Sequence, residues 1–159
     1  MHFVMIFALS VGLFFAIPLF TMILSRLIFE EPLPEAMKPI LMILVAPFAV
    51  GFSAYFATTG EVDIFAEALY MLMLFIINIL FGRLSNLLGC CPFKLSWWAV
   101  SFPLAASAAA SIRYAIFAQT LLTSVIAGIF LALATLIILV LFIRTLAGIL
   151  RGELQMLTV

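Results

Sequence analysis

Charge is scarce in this sequence. Only 9% of its 159 residues are Asp, Glu, Lys or Arg, and seven basic side chains balance seven acidic ones. A neutral chain this poor in Lys and Arg has no electrostatic footprint for a phosphate backbone, which argues against nucleic acid as a partner. Histidine is nearly missing: His2 is the single one, and it is terminal. Cysteine occurs only as the adjacent pair Cys90 and Cys91. Neighbouring cysteines are poorly placed to bridge each other, and nothing nearby completes a metal site. Alternation of apolar and polar residues is also lacking, which argues against membrane-spanning strands.

Apolar residues fill the space that charge leaves. They make up 68% of the chain, and the mean hydropathy is +1.42. Soluble domains hold only about 45–50% apolar residues. Five apolar runs approach or exceed the roughly 20 residues that cross the hydrocarbon as a helix. They are A (3–25), B (40–58), C (64–81), D (95–112) and E (121–143). With their flanks, the expected spans are about 3–28, 40–58, 64–88, 95–114 and 121–150. The expected class is therefore an all-α polytopic membrane protein with one transmembrane domain over residues 1–159 and the lipid bilayer as its surroundings. Segment A has no Lys or Arg before its apolar run and a poor cleavage site at Ser25-Arg26-Leu27, so it reads as a span and not as a cleaved signal peptide.

Basic residues lie unevenly about these runs. Arg26 and Lys38 fall between A and B, Arg83 and Lys94 between C and D, and Arg144 and Arg151 at the end of E. The opposite side carries only Arg113. Lys and Arg accumulate on the cytoplasmic side, so the C-terminus is expected inside and the N-terminus outside.

A repeat runs through the chain. Arg26 and Arg83 are 57 residues apart, and Arg83 and Arg144 are 61 apart. Each of the first two is followed by a proline-containing loop and then by a helix with an internal proline, Pro47 or Pro103. Segments A, C and E are bulky, built from Leu, Ile, Phe and Met. Segments B and D are rich in small residues, among them Ala46, Ala49, Gly51, Ser53 and Ala54, then the run from Ala105 to Ser111. Small residues permit close backbone approach or line a lumen. Pro47 and Pro103 each free the carbonyl four residues earlier, at Ile43 and Ala99. A freed carbonyl in hydrocarbon needs protein or a wet cavity, which suits an inner helix. Pro18 in the bulky segment A is an exception to that rule.

One stretch concentrates these features. Trp97 and Trp98 open segment D, Phe102 precedes Pro103, and almost nothing but small residues follows. Such a helix leaves space beside it, and Phe102 is the one large group placed to fill that space. The stretch suggests a gated passage, although on spacing alone plain packing of Phe102 is the favoured reading.

These residues match a known pattern. Ala46-Pro47-Phe48-Ala49-Val50, followed by Gly51 to Tyr55, resembles a helix of the tellurite-resistance and dicarboxylate transporter family. Trp97-Trp98 through Ala106, then Ile112-Arg113-Tyr114-Ala115, is similar to a second helix of that family. The family includes the bacterial TehA proteins, fungal malate and sulfite transporters, and plant guard-cell slow anion channels. The resemblance implies ten helices in five hairpins, with the inner helix of each hairpin lining a pore and a homotrimer of three pores. On that plan A to E match helices six to ten, and B and D are inner helices. This chain departs from the pattern at Phe48, where a second proline is common.

The resemblance carries specific expectations. Phe102 matches the phenylalanine that occludes the pore. Ala46, Pro47, Val50, Pro103, Ala106 and Ala109 are expected to line it, and Arg113 to lie at its mouth. Tellurite, dicarboxylates, chloride, nitrate and sulfite are the implied anions. No cofactor is implied, and the localisation is the inner or plasma membrane. With only two of five inner helices, the chain is expected to be a fragment, a truncated reading frame, or one half that needs a partner chain.

Within the five runs Glu67 is the only acidic residue. It follows Asp63, a candidate N-cap, and a carboxylate in a first helical turn is favoured by the helix dipole. Ion-coupled pumps rely on buried ionisable groups, so passive movement through a channel is expected. The rival class is a non-transporting membrane subunit or an inactive fragment. An intramembrane enzyme is disfavoured, because the spans hold no nucleophile with a base and no metal-ligand cluster. A small four-helix exporter is disfavoured too, since such proteins depend on a carboxylate near mid-depth.

Overall fold

The computed structural model describes residues 2–31, 34–84 and 95–151. Cys90, Cys91, Lys94 and the end of the expected third span (85–88) lie outside the described residues. Among the described residues there are five α-helices: α1 (His2–Phe29), α2 (Ala46–Thr59), α3 (Ile64–Leu84), α4 (Ser101–Ala118) and α5 (Leu121–Leu150). Two 3₁₀ segments, Glu35–Val45 and Leu95–Val100, lead into α2 and α4. Counted with these lead-ins, five helical stretches are long and apolar enough to cross a membrane. The protein is all-helical among the described residues, as its composition requires.

The two proline helices correct one sequence expectation. Neither helix is broken at mid-length by its proline. Each is wound as 3₁₀ before the proline and as α after it. Pro47 sits in the first turn of α2, where no intrahelical donor is needed. The carbonyl it would have orphaned is occupied, because the Ala46 N–H donates to Ile43 O. Protein backbone thus satisfies Ile43, and no wet cavity is required. Pro103 is the third residue of α4 and also lies in its first turn. The two 3₁₀ segments also pack against each other.

Local signals set the other ends. Asp63 caps α3: its Oδ1 accepts from the Ala66 N–H at 2.9 Å, and its carbonyl accepts from the Glu67 N–H at 2.9 Å. Gly60 closes α2 with φ +78°, a left-handed geometry that costs glycine nothing. Gln119 closes α4 at φ 50°, and Thr120 then caps α5 by accepting from the Thr123 N–H. So short a turn forces α4 and α5 to run antiparallel. Trp98 Nε1 donates to Thr145 Oγ1 at 3.0 Å and joins the start of that hairpin to its far end.

The core lies between α2, α3, α4 and the first 3₁₀ segment. Val45, Phe52, Met73 and Leu104 are almost wholly buried there, with Tyr70. Helix α5 contributes a heptad stripe of Ala127, Phe130, Ala134, Leu141 and Gly148. Its small members permit the close approach of α4, the helix it packs against. Helix α1 has no fully buried residue and is apolar on every side, which is the pattern of a lipid-facing span. Its half-buried residues Leu13, Phe20 and Leu27 recur every seventh position. Phe20 meets Phe48 edge-on at 5.1 Å, and Gly51 leaves room for Leu13.

Candidate pore face and its charged end

Helix α4 presents two unlike faces. Its packed face holds Pro103, Leu104, Ser107, Ala108, Ser111 and Tyr114, all buried. Its other face carries Phe102, Ala106, Ala109 and Arg113. These positions are separated by four, three and four residues, so at 100° per residue they fall within roughly 60° of one another. Phe102 is 61% exposed and Ala109 is exposed, while Ala106 and Arg113 are half-buried. Phe102 stands one end of this stripe from Arg113 by about 16 Å along the axis. A bulky ring, a smooth alanine track and a guanidinium therefore lie in line.

The remaining expected lining residues are divided. Pro103 is fully buried on the packed face, because position 103 lies one residue's turn from Phe102 toward the neighbouring helices. It lies in the first turn of the helix and is covered by its neighbours. Pro47 and Val50 line a groove of about 410 Å³ between α1 and α2, with Gly12, Ala16, Ala54 and Ala57 opposite or beside them. Ala46 is half-buried at the start of α2. The structure thus brings Phe102, Ala106, Ala109 and Arg113 onto one face and sets Pro47 and Val50 on the α1 side of α2.

Arg113 holds α2 to α4. Its Nη1 donates to the carbonyl oxygen of Ser53 at 2.9 Å. The neighbouring residue Tyr114 turns the other way and stacks on Tyr70, with ring centroids 4.1 Å apart and planes 19° from parallel. Tyr114 Oη donates to Glu67 Oε1 at 3.3 Å, and Tyr70 Oη donates to Ser111 Oγ at 3.4 Å. Phe52 packs edge-on against Tyr114 and tilted against Tyr70. Every buried polar side-chain atom among the described residues has a partner, as a low-dielectric interior demands.

Sequence reasoning missed the Tyr70–Tyr114 stack and the Ser53 acceptor. A signal existed for the first: Glu67 and Tyr70, then Ser111 and Tyr114, are polar pairs three apart on two apolar helices. Glu67 fills the structural part expected of it, as an acceptor for Tyr114 near the start of α3. At the α2–α3 connection, the Tyr55 hydroxyl donates to Oδ2 of Asp63, which lies outside the spans, at 2.5 Å. That bond, with the Ala66 N–H, holds the Asp63 carboxyl below its usual range. Among the described residues no group of His, Cys, Asp or Glu is arranged to hold a metal ion.

The family described as SLAC1, voltage-dependent anion channel, matches residues 1–146. The S-type anion channel SLAH3 of Arabidopsis thaliana is 32% identical over 140 residues, which cover 88% of this chain and 22% of that protein. The S-type anion channel SLAH2 of the same plant is 31% identical over 131 residues, covering 82% of this chain and 25% of the relative. The guard cell S-type anion channel SLAC1 is 26% identical over 109 residues, 69% of this chain and 19% of the relative. The chain therefore spans about a quarter or less of the length of these three relatives. No solved structure matches. The match over residues 1–146 embraces all five helices nearly to the end of α5, and the chain belongs to the SLAC1 voltage-dependent anion channel family.

Proposed function

We propose that this chain forms part of a passive pathway for small anions across a membrane, with Phe102 as its plug. The observation that carries the reading is the place of Phe102 at the head of an alanine stripe that ends at Arg113. Exposure alone does not single it out: Phe102 is 61% exposed, and Phe3, Phe14 and Phe75 are exposed too. In a narrow lumen such a ring blocks ions sterically and dewets the constriction, and its rotation opens the path. The printed names of the relatives, S-type anion channels, support an anion as the cargo.

The expected family substrates span tellurite, dicarboxylates, chloride, nitrate and sulfite, and the reading extends only to a small anion. The distribution of Lys and Arg supports a cytoplasmic C-terminus in an inner or plasma membrane. A homotrimer, completed by further helices or a partner chain, is part of the proposal. No step calls for a cofactor or for enzymatic chemistry.

Planar-bilayer conductance of the purified chain, native and Phe102→Ala, tests it. A nearly silent native form and an anion-conducting alanine form support the plug. If both are silent, the pair is repeated with the chain joined to five upstream helices of a family member. Silence there as well, with both proteins folded, favours the rival reading of a non-transporting subunit.

A further inference from the structure

Arg113 carries a charge that the protein leaves largely unanswered. Its guanidinium is a delocalised cation with five N–H donors in a rigid planar fork. One donor, on Nη1, is committed to Ser53 O. Among the described residues no carboxylate lies within ion-pairing distance of Arg113. Glu67, the acidic residue of the adjoining helix, accepts from Tyr114 instead. The cation lies half-buried within an apolar span, five residues before the end of α4. Charge in such a place is costly unless an anion or water completes it, and an ionisable residue inside a span is by default a candidate functional site.

The committed donor leaves a particular shape behind. With Nη1 held by a backbone carbonyl, the Nε–Nη2 edge of the fork remains whole. That edge offers two parallel N–H groups, the geometry that a planar oxyanion or carboxylate meets with two oxygens. A spherical halide meets it with one centre only. The Ser53 carbonyl also fixes where the fork lies, since it belongs to α2 while Arg113 belongs to α4. Below the guanidinium the same helix face continues through Ala109 and Ala106 to Phe102.

We propose that Arg113 is an anion-coordination site for two-oxygen anions, nitrate and carboxylates foremost, held in place by its bond to Ser53. It deepens the proposed function and rests on that reading for its place on the pathway, although binding itself needs no conduction. A lipid phosphodiester presents the same pair of oxygens and is the second possible source of the ligand.

The test is a thermal-unfolding titration of the purified chain in neutral detergent, exchanging sodium nitrate for sodium chloride at constant ionic strength. The expected result is a saturable nitrate-dependent rise in melting temperature, with the midpoint weakened at least tenfold in Arg113→Gln. Arg113→Lys keeps the charge without the fork and is expected to lose the preference for nitrate over chloride. A second titration adds phosphatidylglycerol to the micelles. Protection that competes with nitrate and vanishes in Arg113→Gln upholds the site and assigns the phosphodiester as its occupant. Superimposable nitrate titrations for the native chain and Arg113→Gln overturn the proposal. If Arg113→Gln does not fold, an unchanged nitrate preference in Arg113→Lys overturns it. Saturable binding at Arg113 beside a Phe102→Ala form that never conducts would sink the pathway reading alone. A conducting Phe102→Ala form whose nitrate binding ignores residue 113 would sink this inference alone.

Discussion

Arg113 and Ser53, sixty residues apart in the chain, are joined by a 2.9 Å hydrogen bond from the guanidinium to a backbone carbonyl. The acceptor is main chain, so the Ser53 side chain takes no part in that bond. Ser53→Ala is expected to change stability by no more than about 0.5 kcal/mol, the usual range for a substitution that removes no contact. Arg113→Met is expected to cost about 1.5–3 kcal/mol, since hydrogen bonds involving a charged group contribute at that level. Thermal unfolding of the two variants in detergent checks the contrast. Equal losses would show that the serine hydroxyl, and not its carbonyl, holds α2 to α4.

Phe102 and Phe52 offer a sharper contrast. Phe52 is fully buried and packs against Phe56, Tyr70 and Tyr114. Phe52→Ala is expected to cost about 3–5 kcal/mol, the range for emptying a buried aromatic site. Phe102→Ala removes a ring that is mostly uncovered and is expected to cost less than about 1 kcal/mol. Comparable destabilisation by both, measured by thermal unfolding, would mean that Phe102 is a packing residue in the assembled protein.

The two left-handed helix ends respond in opposite directions. Gly60 adopts φ +78°, where a Cβ meets the following carbonyl, so Gly60→Ala is expected to cost about 1–2 kcal/mol. No neighbouring atom lies within 4 Å of the added Cβ, so the cost is one of backbone conformation alone. Gln119 adopts φ 50° with a side chain in place, and Gln119→Gly is expected to be neutral or stabilising by up to about 1 kcal/mol. A loss of stability in Gln119→Gly would sink this account.

Asp63 gives the short α2–α3 connection a pH dependence. The Tyr55 hydroxyl first, and the Ala66 N–H next, favour the charged carboxylate and lower its pKa in the folded protein. A group whose folded pKa is depressed adds stability above its unfolded value and loses it as pH falls through the folded value. With an unfolded pKa near ~3.9, the contribution is whole above about pH 5 and disappears at lower pH. Asp63→Asn is expected to flatten the acid limb of a melting-temperature profile and Tyr55→Phe to reduce it. An acid limb identical in all three proteins would remove Asp63 from the account.

Much of the fold was legible without coordinates. Asp63 as a cap and the division into bulky and small helices rest on short-range rules, whereas the fourth span, expected to end at 114, continues as helix to Ala118. Such rules concern a residue and neighbours within a turn or two. The prolines were half legible. Their positions predicted a change in the helix, but the 3₁₀ lead-in that satisfies Ile43 depends on how segments 35–45 and 95–100 pack together. The candidate site was less legible. Pro47 and Val50 looked like lining residues by family pattern, and the groove beside α1 is where their face lies.

The sequence by itself determined that this is an all-helical protein built for a membrane. It carries too little charge to stay in water, and its apolar runs are long enough for a bilayer. It also carried the four-three-four spacing of Phe102, Ala106, Ala109 and Arg113, since that follows from helical geometry. Only the tertiary structure decided which side of α4 is left open, because that depends on where α2, α3 and α5 pack. It alone decided that Arg113 is held by Ser53. Every residue offers the same backbone carbonyl, so no pattern of side chains can name the one that accepts.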